Sequence, residues 1–130
     1  MPDKNGFPHF MLKEIFDQPQ GLRDTIMPRV SLPDGDVRIT TEVRVDPLEL
    51  RRLRRINIVA SGTSRHAGLA GQYMFQDLAH VFADVDYASE FEYRNPPIGP
   101  EELTIVITQS GETADTMAAQ RLARKKGSRS

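Results

Sequence analysis

Two short apolar stretches stand out along the chain. Ile56-Asn57-Ile58-Val59-Ala60 and Leu103-Thr104-Ile105-Val106-Ile107 are rich in β-branched residues and end in small polar turns. That pattern predicts buried parallel strands over Ile56–Ala60 and Leu103–Thr108. A weaker strand is expected over Val81–Tyr87. Between them the period changes from two to near four. Residues 64–81 read as a helix with Leu69, Tyr73, Met74 and Leu78 on one face, and 111–126 as a second helix, closed by Gly127 at its C-cap after Arg124, Lys125 and Lys126. Ser89–Tyr93 predicts a helical turn, and Asn95-Pro96-Pro97-Ile98-Gly99-Pro100 a loop. Strands alternating with helices predict an α/β fold with right-handed crossovers.

The first third of the chain is patterned differently. Residues 1–9 read as a polar arm. Phe10, Met11, Leu12, Ile15 and Phe16, followed by Leu22 and Ile26, predict amphipathic helix, with Pro19 ending a first helix or restarting a second. Residues 29–46 carry a period-2 series, Val37, Ile39, Thr41, Val43 and Val45, beside an Asp34-Gly35 turn signal, and predict a β-hairpin or extended segment. Asp46 and Pro47 read as N-cap and first residue of a short helix reaching Leu53. The expected division is an N-terminal arm, helix and hairpin segment over 1–46 and an α/β ligand-binding domain over 47–130. About three core strands make a thin sheet, so the α/β part reads as the front portion of a larger domain.

Composition narrows the classes. The chain has 130 residues, 38% of them apolar, a formal net charge of −1 and no cysteine. Near-neutral charge gives no reason to expect nucleic acid as a partner. The Arg51-Arg52-Leu53-Arg54-Arg55 run reads as a solvated helix end. Without cysteine there are no disulfides or thiolate metal sites, and His9 and His80 lack neighbours that suggest metal ligation. No segment approaches the roughly 20 apolar residues of a membrane span. A cytoplasmic setting without membrane, metal or cofactor is the expectation.

The candidate chemistry lies in the two turns that follow the core strands. Gly62-Thr63-Ser64 and Thr108-Gln109-Ser110-Gly111-Glu112-Thr113 each leave the C-terminal end of a strand and open a helix, and ligands of open parallel sheets bind at that end. Helix N-termini present unpaired N–H groups and positive partial charge. Hydroxyls add donors, and glycine permits close approach or positive φ. Together these suit a phosphate group. Ser and Thr also cap helices with no ligand present, so each turn taken alone is open to that reading. Glu112 reads as a first-turn carboxylate and His66 as a helix-surface residue. Neither the Gly-x-x-x-x-Gly-Lys-[Ser/Thr] loop nor Gly-x-Gly-x-x-Gly is present.

Ser61-Gly62-Thr63-Ser64, then Ser89-Glu90-Phe91-Glu92-Tyr93-Arg94, then Thr108-Gln109-Ser110-Gly111-Glu112-Thr113-Ala114-Asp115-Thr116 resemble the sugar isomerase (SIS) domain. Within that family they resemble the isomerase part of the glutamine-dependent aminotransferases that act on fructose 6-phosphate. The segment from His9 to Pro19 resembles the lead into that part. The resemblance implies a flavodoxin-like parallel sheet with helices on both faces. It implies a sugar phosphate as ligand, its phosphate held by Ser64, Gln109, Ser110 and Thr113, with Thr63 close by and Thr108 where the family commonly has Ser. The family's glutaminase cysteine has no counterpart here. Its Glu base, ring-opening His and Schiff-base Lys are expected downstream of these residues, so no catalytic residue is expected within 1–130. The alternatives are a non-catalytic sugar-phosphate module and an oligomeric phosphosugar isomerase. A homodimer, or pairing with the other half of the domain, is expected.

Overall fold

The computed structural model describes residues 3–39, 42–43 and 46–130. The chain divides into two compact units, Met1–Val45 and Asp46–Ser130. In the first, α1 spans Phe10–Ile26 and runs into a 3-10 turn, Met27–Arg29. Pro19 lies inside α1 and neither ends it nor restarts it. It removes one backbone donor, but the turns on either side hold, so the expected break is corrected to a single helix. The hairpin also contracts. β1 (Val30–Ser31) pairs antiparallel with β2 (Asp36–Val37), two residues a side, with Val30 opposite Val37. Ser31 Oγ and Arg38 both bond the Asp34 carboxylate, which ties the turn together. Ile39 and Val43 do not extend the strand. The Ile39 carbonyl accepts from Val43 N–H at 2.8 Å, a turn that ends the alternation. Thr41 and Val45 of the predicted series lie outside the described residues.

The second unit opens with α2 (Pro47–Leu50), and Asp46 caps it as expected: its carboxylate accepts from Leu48 N–H at 2.8 Å. Then follow β3 (Arg55–Ala60), α3 (Gly62–Leu78), β4 (Phe82–Tyr87), α4 (Ala88–Arg94), β5 (Glu102–Ile107) and α5 (Ala114–Lys125). The three strands form one parallel sheet in the order β4-β3-β5. The predicted α/β architecture is therefore present. The oldest strand in sequence sits in the middle and is the most buried, Ile56 through Ala60 being inaccessible or nearly so. Arg129 forms an isolated parallel bridge to Leu103 on the outer side of β5. Thr104 N–H donates to the Arg129 carbonyl at 2.7 Å, and the buried Thr104 and Ser128 hydroxyls bond each other at 2.8 Å.

The sheet is covered on both faces. One core gathers Val59, Ala88, Phe91 and Ala119 beneath α4 and α5, with Ile98 and Leu122 at its margin. The other gathers Ile56, Ile58 and Ala83 with Phe75, Val85, Ile105 and Ile107. Here the structure corrects the predicted face of α3. Tyr73, Met74 and Leu78 are exposed (71%, 61% and 77%), while Gly68, Gly71 and Phe75 face the sheet. Small residues let the helix lie close, and Gln72 and Gln76 both donate to the Ala83 carbonyl at 2.8 Å. The glutamines satisfy a carbonyl of the edge strand β4, so polar residues take the inner positions that hydrophobicity alone assigns elsewhere. Gly127, at φ +86°, ends α5 as predicted, with Ser128 N–H bonding back to the Ala123 carbonyl at 3.0 Å.

Candidate functional site

β3 hands its chain to α3, which returns to β4 on one side. β5 lies on the other side of β3 and hands its chain to α5 on the opposite face of the sheet. The helices that follow β3 and β5 therefore leave in different directions. Such a reversal opens a crevice at the carboxyl ends of the two strands. The register fixes how close the two exits are: Ala60 and Ile107 are paired across adjacent strands, so the turns start side by side, roughly 5 Å apart.

The first turn is Ser61-Gly62-Thr63-Ser64. Ser61 is the N-cap of α3, with φ −126° and ψ 152°, but its side chain makes no capping bond. Gly62 has φ +56°, and a β-carbon there would meet nothing within 4 Å. Backbone conformation, not space, is what requires glycine. Thr63 is exposed and Ser64 half-buried. No acidic residue occupies the first turn of α3, so nothing there offsets its positive end.

The second turn holds itself together with hydroxyls. Thr108 Oγ1 accepts from Gly111 N–H at 3.1 Å, and Ser110 Oγ accepts from Glu112 N–H at 3.2 Å. A hydroxyl that accepts a backbone N–H still has its own proton to donate, and these two are left to donate outward. Gly111, at φ +74°, supplies the left-handed residue that bends the turn. Thr113 is the N-cap of α5, again without a side-chain cap bond. The side chains of Thr63, Ser64, Gln109 and Thr113 form no hydrogen bond among the described residues. The capping alternative thus accounts for neither Ser61 nor Thr113, and the turn hydroxyls that are engaged bond their own loop.

All six residues singled out from the sequence, Thr63, Ser64, Thr108, Gln109, Ser110 and Thr113, lie on these two turns at one end of the sheet. Glu112 and His66 are exposed beside them. The basic run is elsewhere: Arg55 opens β3 at the other end of the sheet, over the Phe82 ring at 4.9 Å, and Arg54 pairs with Glu101 at 2.7 Å. Among the described residues no group of His, Asp and Glu could hold a metal ion, and no helix is long and apolar enough to cross a membrane. Sequence reasoning overlooked Arg65, which follows Ser64 and stacks on Tyr87 at the end of β4. Its position in a first helical turn beside a candidate anion site was the available signal.

A three-stranded parallel sheet with helices on both faces and hydroxyl-rich turns at its strand ends defines the class: a doubly wound α/β domain. The SIS domain family matches residues 49–130, and the chain belongs to that family. The glutamine–fructose-6-phosphate aminotransferase [isomerizing] of Chlorobaculum tepidum is 52% identical over 126 residues, which is 96% of this chain and 20% of that protein. Its counterpart in Methanosarcina acetivorans is 48% identical over 119 residues, 92% of this chain and 19% of that protein. The solved C-terminal domain of the glucosamine–fructose-6-phosphate aminotransferase of Francisella tularensis superposes with a TM-score of 0.84 at 35% identity, covering 98% of this chain and 34% of that one. The chain spans about a fifth of the length of these curated relatives. Its likeness is to their isomerase portion.

Proposed function

We propose that this chain binds a phosphorylated sugar of the fructose 6-phosphate class, as part of the isomerase portion of a glutamine-dependent aminotransferase. In this reading residues 47–130 are the phosphosugar-binding part. Thr63, Ser64, Thr108, Gln109, Ser110 and Thr113 hold the phosphate, together with the first N–H groups of α3 and α5. The observation that carries the reading is the pairing of Ala60 with Ile107, which starts both hydroxyl-rich turns side by side. Kinship to aminotransferases named for fructose 6-phosphate supports the choice of sugar.

The chemistry is that of a dianion met by many donors. A phosphate monoester offers three terminal oxygens, and each charge-assisted hydrogen bond contributes about 1.5–3 kcal/mol. Two helix N-termini, one after each turn, add partial positive charge. Four or five such bonds, less desolvation and ordering, give micromolar to millimolar affinity. The ring opening, isomerisation and amination of the relatives are assigned to no residue of this chain, whose role is to grip the phosphate end of the sugar.

Thermal unfolding tests the reading. Fructose 6-phosphate raises the melting temperature, and fructose at the same concentration does not. Ser110→Ala reduces the effect by the equivalent of about 1–3 kcal/mol of binding free energy. Equal shifts from fructose and its phosphate ester, or no shift from either, refute the assignment.

A further inference from the structure

Arg65 is the one cation in the first turn of α3, and its surroundings are unusual. The guanidinium carbon lies 4.1 Å from the centroid of the Tyr87 ring. Nε is buried and has no hydrogen-bond partner. The two terminal nitrogens form no hydrogen bond or ion pair among the described residues, yet are not sealed from solvent as Nε is. Two other arginines of the unit are committed to carboxylates, Arg94 to Asp86 at 2.8 Å and Arg54 to Glu101 at 2.7 Å. A stacked guanidinium offers a face to the ring and keeps its N–H groups in its own plane. Tyr87 therefore holds the group without using up its donors.

The position matters as much as the valence. Tyr87 is the parallel partner of Ala60, which precedes the first turn and is itself paired with Ile107 before the second. Helical side chains lean toward the helix N-terminus. Both constraints bring the Arg65 guanidinium level with the strand ends from which the hydroxyl turns depart. An unpaired cation partly withdrawn from water, with its remaining donors unspent, is poised for an anion that arrives with a ligand.

Resting on the proposed function, we propose that Arg65 is a specificity-determining residue of that site: held by Tyr87, it supplies the fixed positive charge that selects doubly charged phosphate esters over neutral or singly charged sugars. The hydroxyls fix geometry, and Arg65 sets the charge preference.

The test is calorimetric titration of the chain with fructose 6-phosphate at several salt concentrations. In Arg65→Gln, affinity falls about tenfold and its dependence on salt becomes shallower. Arg65→Lys keeps the salt dependence and part of the affinity, because the charge remains but the planar stack does not. Tyr87→Leu weakens binding and leaves the salt dependence in place. Arg65→Met stands in for Arg65→Gln if the latter fails to fold, and melting without ligand reports any purely structural share of the stack. Equal affinity and equal salt dependence in the parent and the Gln or Met variant overturn the proposal and leave the proposed function standing. A parent chain that binds no fructose 6-phosphate overturns both.

Discussion

Gly68 and Gly71 are one turn apart on the inner face of α3, and alanine at the two positions is expected to act in opposite directions. A β-carbon at Gly68 would lie 2.9 Å from Ile58 Cγ2 and 3.3 Å from Val85 Cγ1. Neither is the tip of a flexible side chain. Ile58 and Val85 are β-branched strand residues of the core under α3, and Ile58 is only 2% exposed. Relief requires the helix or the strand to move, and overpacking of this kind costs about 1–3 kcal/mol. Against it stands the gain from replacing glycine inside a helix, about 1 kcal/mol. Gly68→Ala is therefore expected to destabilise by up to about 2 kcal/mol. At Gly71 the added carbon would meet only Ile58 Cδ1, at 3.7 Å, an ordinary contact. The propensity gain is then unopposed, and Gly71→Ala is expected to stabilise by about 0.5–1 kcal/mol. Equilibrium urea unfolding, with the slope held common, reads both values. The pair shares a helix, a substitution and a reference state, so errors common to both cancel. Changes of the same sign in the two variants would refute the packing of α3 on β3 and β4 described above.

Gly111→Ala places a β-carbon on a residue at φ +74° and is expected to cost about 1–2 kcal/mol, although nothing lies within 4 Å of the new atom; Asn at the same position should recover part of the loss, as seen by chemical denaturation. Phe91→Ala empties the core between α4, α5 and β3, where Phe91 is 2% exposed, and is expected to cost about 3–5 kcal/mol by the same measurement. Ser64→Ala should leave the melting temperature without ligand nearly unchanged, since the hydroxyl has no partner among the described residues, and should lower the affinity for fructose 6-phosphate by about 1 kcal/mol or more. A large loss of stability in that variant would mean the hydroxyl serves the fold.

The sheet was legible because two of its three strands announce themselves by runs of residues that suit two-sided burial. Ile56 to Ala60 and Leu103 to Ile107 have one environment open to them, and the parallel sense of the sheet followed from the alternation with helices, while the order β4-β3-β5 came only with the structure. The face of α3 was illegible for the opposite reason. Of its inner positions Gly68, Gly71, Gln72, Phe75 and Gln76, only Phe75 carries a hydrophobic signal, while Tyr73, Met74 and Leu78 carry much and are exposed. Hydrophobic periodicity reports where apolar surface is, not where a helix must approach closely, and close approach favours absence of side chain. The candidate site divides along the same line. Its hydroxyl turns could be read because Gly62 and Gly111 punctuate strand-to-helix transitions in a recognisable way. Arg65 offered only its place in a first helical turn; its contact with Tyr87 could not be read, because Tyr87 is 22 positions away in sequence and becomes a neighbour only when β4 aligns with β3 and sets Tyr87 beside Ala60. A residue whose role is created by strand register is visible only once that register is known.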